Sequence, residues 1–137
     1  MAEDLAARFR PVHEAGTEAF NSGDLDRALD GLPDDFEWHP LDVDPDESLI
    51  RGPAAIKDYF RRYREVFDEW HSEPLEYEQL GASAVLVHHV ITGTSRSAGV
   101  PVKVQVFEVW EFDGEVPKRA RQFDSREAAT ATLEGGS

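Results

Sequence analysis

The sequence predicts an α+β fold in which a mostly antiparallel sheet packs against three N-terminal helices and is followed by a short C-terminal helix. Apolar residues recur at helical spacing in the first half of the 137-residue chain and alternate at strand period in the second half. An Asp113-Gly114 turn between two alternating segments favours a hairpin, and hence antiparallel pairing.

The first helices lead directly into a strand. An apolar stripe ends near Asn21-Ser22-Gly23 and consists of Leu5, Phe9, Val12, Gly16, Ala19 and Phe20. Asp24 is placed to cap a short second helix that Pro33 ends. Phe36 and Trp38 then alternate with Glu37 and His39, which is typical of a strand.

A third helix and four further segments complete the pattern. Gly52-Pro53 is a favourable helix start, and an aromatic stripe predicts that this helix runs about five turns, to Trp70. Strands are predicted at Pro74–Leu80, Ala84–Gly93, Val102–Phe112 and Glu115–Phe123. Asp124-Ser125-Arg126-Glu127 is a capping box for a last helix, which favours a structural role for Asp124.

Composition excludes several classes of partner. Lys+Arg 14 against Asp+Glu 28 gives a net charge of −14, which argues against binding nucleic acid or anionic membranes. The chain has no cysteine, so no disulfide or thiolate site is available. Without a basic, apolar N-terminal segment or a long apolar run, we expect a soluble cytoplasmic protein with one domain over residues 1–137.

Glu108 is the strongest single candidate for chemistry. It shares one face of its strand with an otherwise apolar row, namely Val102, Val104, Val106, Trp110 and Phe112. Loss of hydration raises the pKa of such a carboxyl unless a cation pairs with it, and a raised pKa suits general acid–base chemistry. The alternative is a cross-strand ion pair with Arg121 or Arg119.

The sequence gives little support to either of two hypothetical metal-binding sites. The acidic loop Leu41–Ser48 begins like a calcium loop, but Glu47 stands where glycine is needed and Pro53 where a glutamate is needed. His88 and His89 must point to opposite faces of their strand, so they cannot both bind one ion. A metal site would therefore need one of them together with His39 and Glu108. We expect no metal and no cofactor.

Several segments resemble, in their order and spacing, those of the SnoaL-like polyketide-cyclase family. This family belongs to the nuclear-transport-factor-2-like superfamily, and the superfamily also contains ketosteroid isomerases. The matching segments are AFNSGDLD, DDFEWHP, RGPAAIKDYF, VWEFDGEV and FDSREAA. The resemblance implies a cone-shaped, strongly curved sheet around the helices, with an apolar pocket between them. It also implies a homodimer, for which Phe107 and Val109 would make the outer sheet face adhesive.

The resemblance also suggests residue roles. Aligned with ketosteroid isomerases, His39 falls at the position of their general base and Glu108 at that of their protonated oxyanion-hole acid. The tyrosine that those enzymes carry on the first helix is absent, since Gly16 or Thr17 stands there. Steroid isomerisation itself is therefore not expected.

The predicted activity is acid–base chemistry without a cofactor, as in an isomerase or cyclase, on a small hydrophobic ketone-type molecule. His39 would be the base, Glu108 the neutral acid, and the substrate would be bound by Phe20, Trp38, Tyr59, Tyr63, Val106 and Trp110. One alternative is a module that binds a small hydrophobic ligand without catalysis. Another is an epoxide hydrolase, although no aspartate–arginine–aspartate network could be assembled.

Overall fold

A computed structural model describes residues 5–40 and 49–135, so the predicted acidic loop Leu41–Ser48 lies outside the described residues. The elements in chain order are α1 (Leu5–Ser22), α2 (Leu25–Ala28), β1 (Glu37–His39), β2 (Ile50–Arg51), α3 (Pro53–Glu65), β3 (Phe67–Leu80), β4 (Ala84–Ser95), β5 (Pro101–Asp113), β6 (Val116–Phe123) and α4 (Arg126–Gly135). In these two ranges no helix has both the length and the apolar character needed to cross a membrane.

The strands form one open, curved sheet in the order β2-β1-β6-β5-β4-β3. All neighbouring pairs are antiparallel except β1 with β6, which is parallel. The long meander β3 to β6 needs only short connections, as expected for antiparallel neighbours. The predicted α+β class with a mostly antiparallel, curved sheet is confirmed.

Two apolar clusters fix the helices to the concave face of the sheet. Leu5 and Phe9 of α1 pack against three buried residues of β4 and β5, namely Val85, Val87 and Phe112. Phe36 and Ile56 lie at the centre of a second cluster, which also contains Leu29, Trp38 and Ala120. The first three helices therefore cover one face, and a space remains between them and β4 to β6.

The third helix is shorter than predicted. It ends at Glu65, and Phe67 to Trp70 begin β3 instead. The register of β3 with β4 shifts between Asp68 and His71, and Glu69 has a φ of +56°, which indicates a bulge. Because of the bulge, Phe67 and Trp70 point to the same face although they are three residues apart. A spacing of three residues is also typical of a helix.

The outer face of the sheet carries α4. Val109 is fully buried there in a cluster with Ala84, Leu86 and Ala129, and Phe107 packs at its margin. The predicted adhesive face is thus partly covered from within the same chain, because α4 folds back over it. Dimerisation stays a prediction, but Val109 is not available for it.

Candidate functional site

The concave face of the sheet and the helices α1 to α3 line a cavity of about 790 Å³. Its walls include all six residues predicted to bind a substrate, namely Phe20, Trp38, Tyr59, Tyr63, Val106 and Trp110. Glu108 also lines this cavity. Cavities of this size with mostly apolar walls commonly hold small organic molecules. Contact of these residues with a substrate remains a prediction.

Glu108 lies in the wall of this cavity and is almost completely buried, with 2% of its surface exposed. The alternation of β5 turns it to the concave face together with Val106 and Trp110, as the sequence pattern predicted. A carboxylate at this depth must be compensated by donors or by charge.

Four side chains supply that compensation. Glu108 Oε1 accepts hydrogen bonds from His13 Nε2, at 3.2 Å, and from the indole Nε1 of Trp110. Glu108 Oε2 accepts from His89 Nε2, at 3.3 Å, and from Gln122 Nε2, at 3.0 Å. Both oxygens therefore carry two donors each, which is about the full accepting capacity of a carboxylate.

The imidazoles decide the ionisation of Glu108. Burial by itself raises the pKa of this carboxyl, but the charge and hydrogen bonds of His89 and His13 outweigh burial and hold the pKa well below its ordinary value of 4.5. Glu108 is therefore an anion at neutral pH. This corrects the predicted neutral acid, since the side chains that stabilise the carboxylate are imidazoles rather than an arginine.

His13 connects the carboxylate to α1. Its Nδ1 lies 2.7 Å from the hydroxyl of Tyr77 on β3. Burial, with a contribution from Glu14 and Glu108, raises the pKa of the Tyr77 phenol, so this hydroxyl stays protonated at neutral pH. When the His13 ring carries one proton and donates it from Nε2 to Glu108, its Nδ1 accepts the Tyr77 O–H.

His89 makes the corresponding link on the other side. It is the histidine of the pair His88–His89 that faces the cavity, and its Nδ1 lies 3.1 Å from Ser72 Oγ. His88 points to the outer face, where it contacts Gln105 and stacks on Phe107. A hydrogen-bonded chain thus runs from α1 through the buried carboxylate to β3.

His39 does not lie with Glu108. Trp38 is buried against the core, so the alternation of β1 turns His39 to the opposite face, outside the cavity walls. Its Nε2 is 3.3 Å from Glu37 Oε1, and Glu37 also accepts from Arg51. The structure therefore does not bring the two predicted catalytic residues together.

The predicted ion pair of Glu108 with Arg119 or Arg121 is also wrong. Both arginines bind Glu111 instead, at 2.8 Å and 2.6 Å, because these three residues lie on the face of the sheet opposite to Glu108. Asp124 is exposed and does not line the cavity, and it is not the residue that caps α4. The cap of α4 is Ser125, whose Oγ accepts from the backbone N–H of Ala128.

Among the side chains of the described residues, no group of three or more histidine, cysteine, aspartate or glutamate residues is arranged to hold a metal ion. His13 and His89 approach Glu108, but each directs its Nε2 at a carboxylate oxygen, so the two Nε2 atoms do not converge on one position for a metal ion. The predicted set of His39 with one of His88 and His89 is not assembled either, since His39 faces outward.

Sequence reasoning missed His13 and Ser72. His13 follows Phe9 by four residues and precedes Gly16 by three, so it lies on the apolar stripe of α1, and that position is the signal that could have identified it. Ser72 was missed because the predicted third helix extended too far and left the start of β3 unassigned.

Acid is expected to weaken the fold through Glu108. Because the folded state lowers its pKa below 4.5, the carboxylate stabilises the fold fully above about pH 4.5, and this contribution is lost as the pH falls toward the folded-state value. Urea unfolding between pH 7 and pH 3.5 should show a steeper loss of stability for the wild type than for Glu108→Gln. Equal pH dependence in the two proteins would contradict the assignment of an ionised Glu108.

Comparisons with known proteins agree with this architecture. A sequence model of the SnoaL-like domain matches residues 13–135. No curated protein matches the sequence. Similar solved structures are Bal32a from a soil-derived mobile gene cassette (TM-score 0.71, 21% identity, 89% of this chain and 90% of that chain) and TerC co-crystallised with polyporic acid (0.68, 22%, 88% and 94%). A third is a Catenulispora acidiphila protein with a ketosteroid isomerase-like fold, in complex with trimethylamine (0.68, 17%, 86% and 88%).

Proposed function

Because this chain belongs to the SnoaL-like domain family, we propose that it performs acid–base chemistry without a cofactor, as an isomerase or cyclase, on a small hydrophobic ketone-type molecule. The observation that carries the proposal is the anionic Glu108 held between His13 and His89 in the wall of a largely apolar cavity. TerC, a structural neighbour, was co-crystallised with polyporic acid.

The imidazoles take the role that the sequence analysis gave to His39. With Nε2–H donated to Glu108, a neutral imidazole keeps Nδ1 as its basic nitrogen and can accept an acidic carbon-bound proton from the substrate. The carboxylate stabilises the imidazolium that forms, in the way an aspartate supports a catalytic histidine. The protonated ring then returns the proton to another carbon or to oxygen, so the cycle needs no metal or cofactor.

A non-catalytic module that binds a small hydrophobic ligand is the second candidate, and one observation favours it. Both oxygens of Glu108 and both ring nitrogens of His13 and His89 already have partners within the protein. Proton transfer to a substrate therefore requires one of these hydrogen bonds to be exchanged. Epoxide hydrolysis has less support, since the partners of the buried carboxylate are imidazoles and not arginine.

The test begins with ligand binding. Melting temperatures are measured with a panel of ring ketones and aromatic ketones, and a ligand at a hundred times its Kd adds about 2.7 kcal/mol of stability, or roughly 8 °C. Each hit is then incubated in D₂O, and deuterium incorporation beside the carbonyl is followed by NMR. We expect exchange with wild type, and loss of exchange with retained binding for Glu108→Gln and His13→Gln.

His39→Gln is the matched control, because it removes an imidazole on the other face of the sheet. It should bind and exchange like wild type. Binding without exchange in wild type would favour the binding module, while loss of exchange in His39→Gln would contradict the proposed site.

A cytoplasmic location and a homodimer remain proposals from the sequence and the family. Size-exclusion chromatography with light scattering tests the dimer directly. A monomer at micromolar concentration would contradict it.

A further inference from the structure

Three side chains of different chemical type lie in a diagonal row across the concave face. In the sheet register Ser72 of β3 stands opposite Ile91, two residues beyond His89 on β4. His89 stands opposite Val106, two residues before Glu108 on β5. Diagonal neighbours on one sheet face are close enough for side chains to touch. The register therefore orders a hydroxyl, an imidazole and a carboxylate in one line.

The hydrogen bonds follow that line. His89 Nε2 lies 3.3 Å from Glu108 Oε2, and His89 Nδ1 lies 3.1 Å from Ser72 Oγ. Since an ionised carboxylate only accepts, the imidazole in its neutral form carries its proton on Nε2. Nδ1 is then unprotonated and accepts the Ser72 O–H. This is the arrangement that makes a serine oxygen nucleophilic, because the base is in place and its tautomer is fixed.

Ser72 is held at this position and faces the cavity. The side chain of Asn21 on α1 binds its backbone twice: the Ser72 N–H donates to Asn21 Oδ1 and Asn21 Nδ2 donates to the Ser72 carbonyl, both at 2.8 Å. Ser72 and His89 are buried residues, with 8% and 5% exposed, and both line the cavity. The row is thus fixed within the protein, and its three residues line the cavity.

We infer that Ser72, His89 and Glu108 form a nucleophile–base–carboxylate triad able to cleave small apolar esters. Ser72 Oγ bonds to the carbonyl carbon while its proton passes to His89 Nδ1 and the carbonyl electrons move to oxygen. Collapse of this intermediate breaks the ester C–O bond, and the alcohol leaves with the proton from His89. Water then attacks the acyl group in the same way, releases the carboxylic acid and restores Ser72. This activity goes beyond the proposed proton-transfer function.

A fluorophosphonate probe tests the nucleophile without knowledge of the natural substrate. In the expected reaction Ser72 Oγ bonds to phosphorus, fluoride leaves and the proton passes to His89. Intact mass spectrometry should show one adduct, and peptide mapping of the wild-type protein should place it on Ser72. An adduct on another residue, or none, would overturn the inference, and this result does not depend on any variant folding.

Variants separate the triad from nonspecific reaction. Labelling should be absent in Ser72→Ala and about a hundredfold or more slower in His89→Gln, and p-nitrophenyl butyrate cleavage should be about a hundredfold or more slower in both variants. Ser97→Ala, at an exposed serine of the β4–β5 turn, should react like wild type. Equal rates in Ser72→Ala and wild type would refute the nucleophile. The proposed proton transfer is tested separately by the deuterium assay, so either idea can fail alone.

Discussion

Replacement of Glu108 by alanine is expected to lower the free energy of unfolding by about 3–5 kcal/mol. The substitution removes the acceptor of four donors, one on the buried His89 and three on partly buried side chains, those of His13, Trp110 and Gln122. Left without an acceptor, each buried donor carries a desolvation cost. The melting temperature should fall by roughly 10–20 °C for a chain of this length.

Urea unfolding at pH 7 measures this effect, with two comparisons. Glu108→Gln keeps one acceptor oxygen and the side-chain volume, so its loss should be smaller than that of alanine. Glu65→Ala removes an exposed carboxylate at the end of α3 and should stay within about 0.5 kcal/mol of wild type. A Glu108→Ala protein within about 1 kcal/mol of wild type would show that the cluster does not stabilise the fold.

Phe36→Ala should cost about 3–5 kcal/mol, because it removes a completely buried aromatic ring from its apolar cluster. Phe36 is completely buried between α2, α3 and β1, and its ring lies 5.4 Å from that of Trp110. Loss of this support also loosens the indole that donates to Glu108. Phe36→Leu keeps most of the volume and should cost only about 1.5 kcal/mol or less.

Chemical denaturation of Phe36→Ala, Phe36→Leu and wild type under the same conditions decides this prediction. We expect wild type to be the most stable, Phe36→Leu to be intermediate and Phe36→Ala to be the least stable. Equal stabilities for the alanine and leucine variants would contradict the tight packing described around Phe36.

Much of the fold follows from local patterns in the sequence. The stripe of Leu5 and Phe9 defines α1, and the alternation around Glu108 defines both β5 and the face on which this carboxyl lies. Such patterns predict elements well because one face of each element must meet the core. They do not show a bulge, so the helical spacing of Phe67 and Trp70 concealed the start of β3.

The site was predictable only in part, because its chemistry depends on contacts between distant segments. The pattern around Trp38 already indicated that His39 points away from the core, and the analogy with isomerases favoured the opposite interpretation. His13 reaches Glu108 across a separation of 95 residues, and no local signal shows such a contact. The ionisation of Glu108 follows from that contact, so it could not be derived from β5 alone.

Imidazole resonances offer the most direct test of the claim that the cavity wall around Glu108 is the functional site. The chain has five histidines, all of them within the described ranges, and of these His13 and His89 line the cavity. The side-chain ¹H–¹⁵N correlations of labelled protein are recorded while the ketone with the largest thermal shift is added. We predict shifts for His13 and His89 and none for His39, His71 and His88. A bound ligand that moves His39 and leaves His13 and His89 unchanged would contradict the account.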